Sequence, residues 1–401
     1  MRKVAFVLAA LVLAAAVGLA TAEDKKDQIT FAAFARDTDN TQHIFYRNND
    51  GHIMELWAKH GDTKGWNSKD LTAAANAPKA ASGPTAYLLD KNNTQHVVYR
   101  GEDGNIYELY FRFKDNTQDK WQVNNLTQAA GAPKAAGNPA GYIATKDNTQ
   151  HVVFRSTDGD IIELFNATTG DLKGWKHLNL TAEAKAPKAA GNPDGYFLKH
   201  DNTQHVVYRD KDGNIQELYL KYGQDRWMTS NLTAQTKAPK ADGDPSGYVM
   251  ESDNTQHVVF RSADGDVIEL YNVPSDAKNA GWHMNNLTAA TKTPKAAGNP
   301  VGYYVGDDKT EHVLFRDKDG NIQELFLRAG QDRWMSNNLT SVTKAPAAAS
   351  DPVGYYLDKD NTQHVVFRTK DGAIYELFFR PKGDGQGWHS NNLTAAARSG
   401  G

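Results

Sequence analysis

The chain has 401 residues, 39% hydrophobic and 23% charged, with no cysteine, 33 glycines and 8 tryptophans. That is ample length for a buried core, and the missing cysteines exclude a disulfide scaffold, a thiolate metal site, a cysteine nucleophile and a lipoprotein anchor. The net charge is −3, with 45 basic and 48 acidic residues interspersed, so no segment carries the basic excess of a nucleic-acid binder.

Residues 1–22 have the three parts of a secretory signal peptide. Arg2 and Lys3 form a charged start, Val4 to Leu19 is almost wholly apolar, and Ala20-Thr21-Ala22 supplies small residues for cleavage after Ala22. The polar Glu23-Asp24-Lys25-Lys26 that follows favours cleavage over an uncleaved anchor. The expectation is a secreted or periplasmic protein, with no membrane insertion once the signal is removed.

The remainder, 23–401, is one repeat array. T-Q-H-V-V-Y/F-R or a close variant recurs seven times, with histidine at His43, His96, His151, His205, His257, His312 and His364, at spacings of 52 to 55 residues. Each copy continues through D-G-x-I/V-x-E-L, a tryptophan and a proline-bearing linker to a G-Y strand, with N-L-T after the tryptophan in most copies. In one copy the strands are expected at 141–144, 149–155, 160–165 and 175–180, with Asp158-Gly159 as the tight turn of a three-residue hairpin loop. Four short strands repeated seven times predict an all-β, seven-bladed β-propeller with blades of about 53 residues. The blades fall near 29–78, 84–133, 139–187, 193–239, 245–294, 300–346 and 352–396. Two closures stay open: consecutive strands in every blade, or an N-terminal strand that completes the seventh.

The step from repeat histidine to repeat glutamate is 12 in every copy, giving Glu55, Glu108, Glu163, Glu217, Glu269, Glu324 and Glu376. The tryptophans are Trp66, Trp121, Trp175, Trp227, Trp282, Trp334 and Trp388, and each of the first six stands 30 residues before the next histidine. Only the glutamate-to-tryptophan step varies, so length variation sits in the loop between third and fourth strands. Strand parity puts His96, Val98 and Arg100 on one face. Hairpin pairing adds Ile106, Glu108 and Tyr110 to it. Histidine, arginine and glutamate are therefore expected to converge, with a tryptophan across the blade junction.

Two readings of that cluster stand side by side. In the structural one, Arg100 and Glu108 form a cross-strand ion pair worth a few tenths to about 1 kcal/mol, and tryptophan is packing between blades. In the functional one, each junction is a carbohydrate pocket. Glutamate accepts from sugar hydroxyls, histidine donates, and tryptophan covers the apolar sugar face. Arg47, Arg100, Arg155, Arg209, Arg261, Arg316 and Arg368 would support the pocket. Seven weak sites would act together on a glycan surface.

The pattern resembles the fungal fruit-body lectin family of fucose-binding propellers. Its repeats also run through a polar sugar-contacting strand, D/N-G, I-x-E and a tryptophan strand, over the whole mature chain. The resemblance implies that the seven glutamates and the tryptophans contact sugar, and that glycans or glycoconjugates are the partners. Where that family uses arginine twelve residues before glutamate, every copy here has histidine, and arginine comes four residues later.

An enzyme is not expected. The polar set is the same in all blades, without the asymmetric acid pair of a glycosidase. No cofactor is called for, and histidine plus glutamate within one blade falls short of a metal site. A protein-binding scaffold is the competing class, though it would let blades diverge on one face. The departures are few: Phe34 stands where other blades have tyrosine, and Lys309-Thr310-Glu311 replaces N-T-Q. The N-L-T strings at Asn125, Asn179, Asn231, Asn286, Asn338 and Asn392 are read as strand-end turns rather than glycosylation sites.

Overall fold

A computed structural model describes residues 31–59, 65–89, 92–113, 120–167, 173–221, 223–274, 278–382 and 385–399. The expected signal segment, 1–22, lies outside the described residues. Seven antiparallel sheets follow one another, each built from four consecutive strands. The protein is a seven-bladed β-propeller.

The third blade shows how the repeat folds. Its strands are Ala140–Ala144, Thr149–Arg155, Ile161–Ala167 and Gly174–Asn179. Val152, Val153 and Phe154 are β-branched or aromatic and fully buried, because each blade is covered on both faces by its neighbours. Val153 faces the fourth blade, packing with Val206, Tyr208 and Leu218. Val152 and Phe154 face the second blade, packing with Val98 and Ile106. Gly159 takes φ +84° in the hairpin turn and its N–H closes on the carbonyl of Ser156 at 3.0 Å.

The fourth strand ends in a one-turn helix absent from the sequence reading, Leu180–Ala184 here. The N-L-T string builds it. Asn179 Oδ1 accepts from the Ala182 N–H at 2.9 Å as N-cap, Leu180 is fully buried, and Thr181 Oγ1 accepts from the Ile161 N–H at 3.2 Å. Asn125, Asn231, Asn286, Asn338 and Asn392 cap the equivalent turns. A single turn has too few internal bonds to show a helical period.

Ring closure uses both ends of the described chain. Phe31, Ile44, Leu56 and Trp66 of the first blade pack against Tyr355, Val366 and Leu393 of the seventh. Arg398–Ser399 then pairs parallel with Asn67 and Ser68, adding a fifth strand to the first blade. Consecutive strands in every blade are thus the observed arrangement. The first strands surround an axial channel, where Asn138, Asn192, Asp244, Asn299 and Asp351 link neighbouring blades by hydrogen bonds of 2.7 to 3.2 Å.

Candidate functional site: the blade junctions

The parity expectation holds in the register: His96 faces Tyr110, Val98 faces Glu108 and Arg100 faces Ile106. The polar group it brings together is histidine and glutamate. His43, His96, His151, His205, His257, His312 and His364 each place Nδ1 2.8 to 3.0 Å from Oε1 of the glutamate twelve residues on. All fourteen side chains are buried, with exposures between 2 and 6%. Each imidazole from the second blade onward stacks on the tyrosine of the first strand at 4.8 to 5.3 Å. A third-strand aromatic two residues after the glutamate covers the other face, as Tyr271 covers His257 at 6.1 Å.

Arginine does not join the cluster. Four residues along an extended strand is roughly 13 Å, so Arg100 reaches past the end of its sheet to the carbonyls of Gly137 and Ala81. Arg47 donates to the carbonyl of Ala80, and Arg368 to Asn49 and Gly372. Arg261 and Arg316 meet Asp242 and Asp351, while Arg155 and Arg209 sit beside Gly137 and Gly191. The expected arginine–glutamate cross-strand pair is replaced by histidine–glutamate.

The residue before each histidine carries the junction to the preceding blade. Gln95 and Gln150 donate to Glu55 and Glu108 at 3.3 Å. Gln204, Gln256 and Gln42 accept from Tyr142, Tyr196 and Tyr355 at 2.7 to 3.2 Å, and Gln363 meets His312 at 3.1 Å. In the sixth blade the position is Glu311, whose Oε2 accepts from Tyr248 at 3.3 Å and lies 3.6 Å from His257. Burial pushes Glu311 up to about 8, with Glu269 adding to the shift against the pull of His257. Burial also raises the tyrosine hydroxyls at these seams, and Glu163 adds to the effect at Tyr142.

Outside this buried layer lie clefts formed by two blades each. One of about 600 Å³ has His364 and Glu376 of the seventh blade on one side and Gln42 and Trp66 of the first on the other. One of about 440 Å³ joins His257 and Glu269 to Glu311 and Trp334. A narrow one of about 90 Å³ joins His312 and Glu324 to Gln363 and Trp388. Trp66, Trp121, Trp227 and Trp334 are buried, whereas Trp175, Trp282 and Trp388 are half-buried.

Three further groups contribute: the first stands at the Tyr110 position that strand parity put on this face, and the other two escaped the sequence reading. The third-strand aromatics Phe378, Tyr271 and Phe326 line these clefts. So do Asn391, Asn285 and Asn337 of the fourth strand, and the last two donate to Glu269 and Glu324 at 2.9 and 2.8 Å. At two mouths an arginine lies over the aromatic ring: Arg380 over Phe378 at 5.2 Å and Arg328 over Phe326 at 5.8 Å. The recurrent E-L-F-x-R string was the available signal, in both cases.

No family model matches the chain, and no curated protein sequence matches it. Solved structures do. AofleA from Arthrobotrys oligospora aligns over 78% of this chain and 87% of its own, at 16% identity and a TM-score of 0.54. SapL1 lectin, in complex with alpha methyl fucoside, aligns over 78% of this chain and 96% of its own, at 14% identity and a TM-score of 0.51. At these identities the likeness is one of fold: the chain shares a propeller architecture with lectin structures.

Proposed function

We propose that the protein is an exported, multivalent carbohydrate-binding propeller whose blade-junction clefts hold sugar. The observation that carries the reading is the repeated cleft chemistry. A glutamate on the floor, an asparagine beside it and an arginine or lysine at the mouth offer acceptors and donors for hydroxyls. The third-strand aromatic and the neighbouring blade's tryptophan offer apolar faces for sugar C–H groups. Several equivalent sites on one rigid ring favour binding to clustered glycans over any single free sugar. The seven histidines, glutamates and tryptophans expected to touch sugar take unequal shares in this reading. Histidine is committed to glutamate and acts as the wall behind the site, while glutamate, tryptophan and the cleft-mouth residues face the ligand.

A binding role rather than catalysis fits a polar set repeated around the ring and paired within itself. Among the described residues no helix is long and apolar enough to cross a membrane. The deciding experiment is a glycan array of the labelled mature chain, with calorimetric stoichiometry on the best binder. Binding of a related set of glycans at more than one site per chain supports the proposal. A folded chain with a blank array favours the competing reading, a structural or protein-binding propeller, to which the burial of the histidine–glutamate pairs already lends weight.

A further inference from the structure

The seven junctions are not equivalent. Six carry glutamine before the repeat histidine, and the junction of the fifth and sixth blades carries Glu311. There the ligating atoms of His257, Glu269 and Glu311 all lie within 4.8 Å of one another, and all three side chains are buried. We propose that this junction is a site for a divalent transition-metal ion of the Zn²⁺ class, with His257, Glu269 and Glu311 as its protein ligands.

The distances suit such an ion. Bonds of about 2.0–2.1 Å in tetrahedral geometry place ligand atoms about 3.3 Å apart. His257 Nδ1 stands 2.9 Å from Glu269 Oε1 and 3.6 Å from Glu311 Oε2. Small torsions of two glutamate side chains open the space between them.

Contacts outside the triad orient two of its members as metal ligands require. Thr255 Oγ1 donates to Asp253 at 2.7 Å, so toward His257 it can only accept, at 2.7 Å from Nε2. That places a proton on Nε2 and turns Nδ1 toward the two carboxyl groups. At 2.9 Å, Nδ1 and the Glu269 oxygen need a proton or a cation between them. Asn285 Nδ2 holds Glu269 Oε2 at 2.9 Å, leaving Oε1 for the centre. In the second blade the same position is Gln150, whose amide donates to Glu108. At 311 a carboxyl group replaces that amide, and the two buried carboxyl groups need a proton or a cation between them as counter-ion. Two clefts reach His257 and Glu311, which gives an ion an entry path and leaves coordination positions for water or ligand.

This inference does not depend on sugar binding. Counting ligands within one blade hides it, because the third ligand comes from the next blade. The test is Zn²⁺ titration of the full, chelator-treated chain by calorimetry, with Glu311→Gln as control. That variant restores the glutamine of the other six blades, so its fold is secure. The expected result is one Zn²⁺ per chain, a rise in the thermal midpoint with added Zn²⁺, and both effects weakened at least about 100-fold in Glu311→Gln. The converse variant Gln150→Glu should create a second equivalent. Failure of the wild-type chain to bind Zn²⁺ at about 100 µM overturns the proposal and leaves a proton as the counter-ion. Retention of the equivalent in Glu311→Gln overturns it too, by placing the metal elsewhere.

Discussion

His151 Nδ1 lies 2.8 Å from Glu163 Oε1, and the same glutamate oxygen accepts from the Tyr142 hydroxyl at 3.1 Å. That hydroxyl has a single proton, which it shares with Gln204 Oε1 of the next blade at 2.9 Å. A chain of buried polar groups therefore runs from the middle of one blade into its neighbour. Polar groups this deep are costly when left single, so each partner depends on the others.

Glu163→Gln tests that dependence. The amide keeps the volume, but it gives up the charge that holds His151 and offers a single acceptor oxygen. The expected cost is about 1–3 kcal/mol, read as a lower urea midpoint with an unchanged slope. A midpoint equal to wild type would show that the pair contributes nothing to the fold. A role as pure ligand contact would then regain force.

Close packing between blades makes a second prediction. Gly247 of the fifth blade lies so near Tyr196 of the fourth that a Cβ would stand 2.4 Å from the ring. Gly195 and Gly302 meet Tyr142 and Tyr248 in the same way. Gly247→Ala should therefore cost about 1–3 kcal/mol by overpacking, measured by thermal or urea unfolding. The second blade has Ala86 at this place, and the aromatic packed in the same core is Phe34, so glycine is needed where tyrosine stands behind it. Unaltered stability in Gly247→Ala would mean that the blades slide apart freely.

How much of this was legible follows from where each partner lies. His96 and Glu108 sit in one hairpin, and a constant spacing of 12 with a three-residue turn fixed their common face. Propeller architecture and blade count followed from the repeat period in the same way. Gln150 meets Glu108 from 42 residues away, across two separate sheets, and no within-repeat parity reaches that far. Arg100 shared the predicted face, yet a face is a line along the strand, and the arginine stands at its far end. The one-turn helices were read as turns because Leu180–Ala184 is shorter than two helical periods. Glu311 was visible as a departure from N-T-Q, but its meaning required the fifth blade beside it.

Asp194 predicts a pH dependence of stability. Its side chain is half-buried at the start of the fourth blade's first strand, and its carboxyl accepts from the N–H groups of Gly195 and Gly247 at 2.9 and 2.8 Å. Burial outweighs those bonds and raises it from 3.8 to about 6. The native state then holds the proton more tightly than the unfolded chain. Its contribution is complete below about pH 4 and is lost as pH rises through about 6, a change of order 3 kcal/mol. Asp194→Ser, the residue of the fifth blade at Ser246, should remove this slope. Urea midpoints of both chains from pH 4 to 7 provide the check: a constant gap between them would refute the assignment.

Arg380 separates binding from folding. Its guanidinium is exposed over Phe378 at the mouth of the cleft shared by the seventh and first blades. Substitutions at such exposed places change stability by less than about 0.5 kcal/mol. Under the carbohydrate reading, Arg380→Ala removes a donor from one site among several, so calorimetry with the best array glycan should lose about one site per chain. Adding Arg328→Ala should lose a second, because the two clefts share no residue. Glu163→Gln cannot make this distinction, since it perturbs a seam that also holds two blades together. A double arginine variant with full stoichiometry would exclude these mouths as sugar sites while leaving the fold untouched, and the inner wall of tryptophan and glutamate would then have to bind alone.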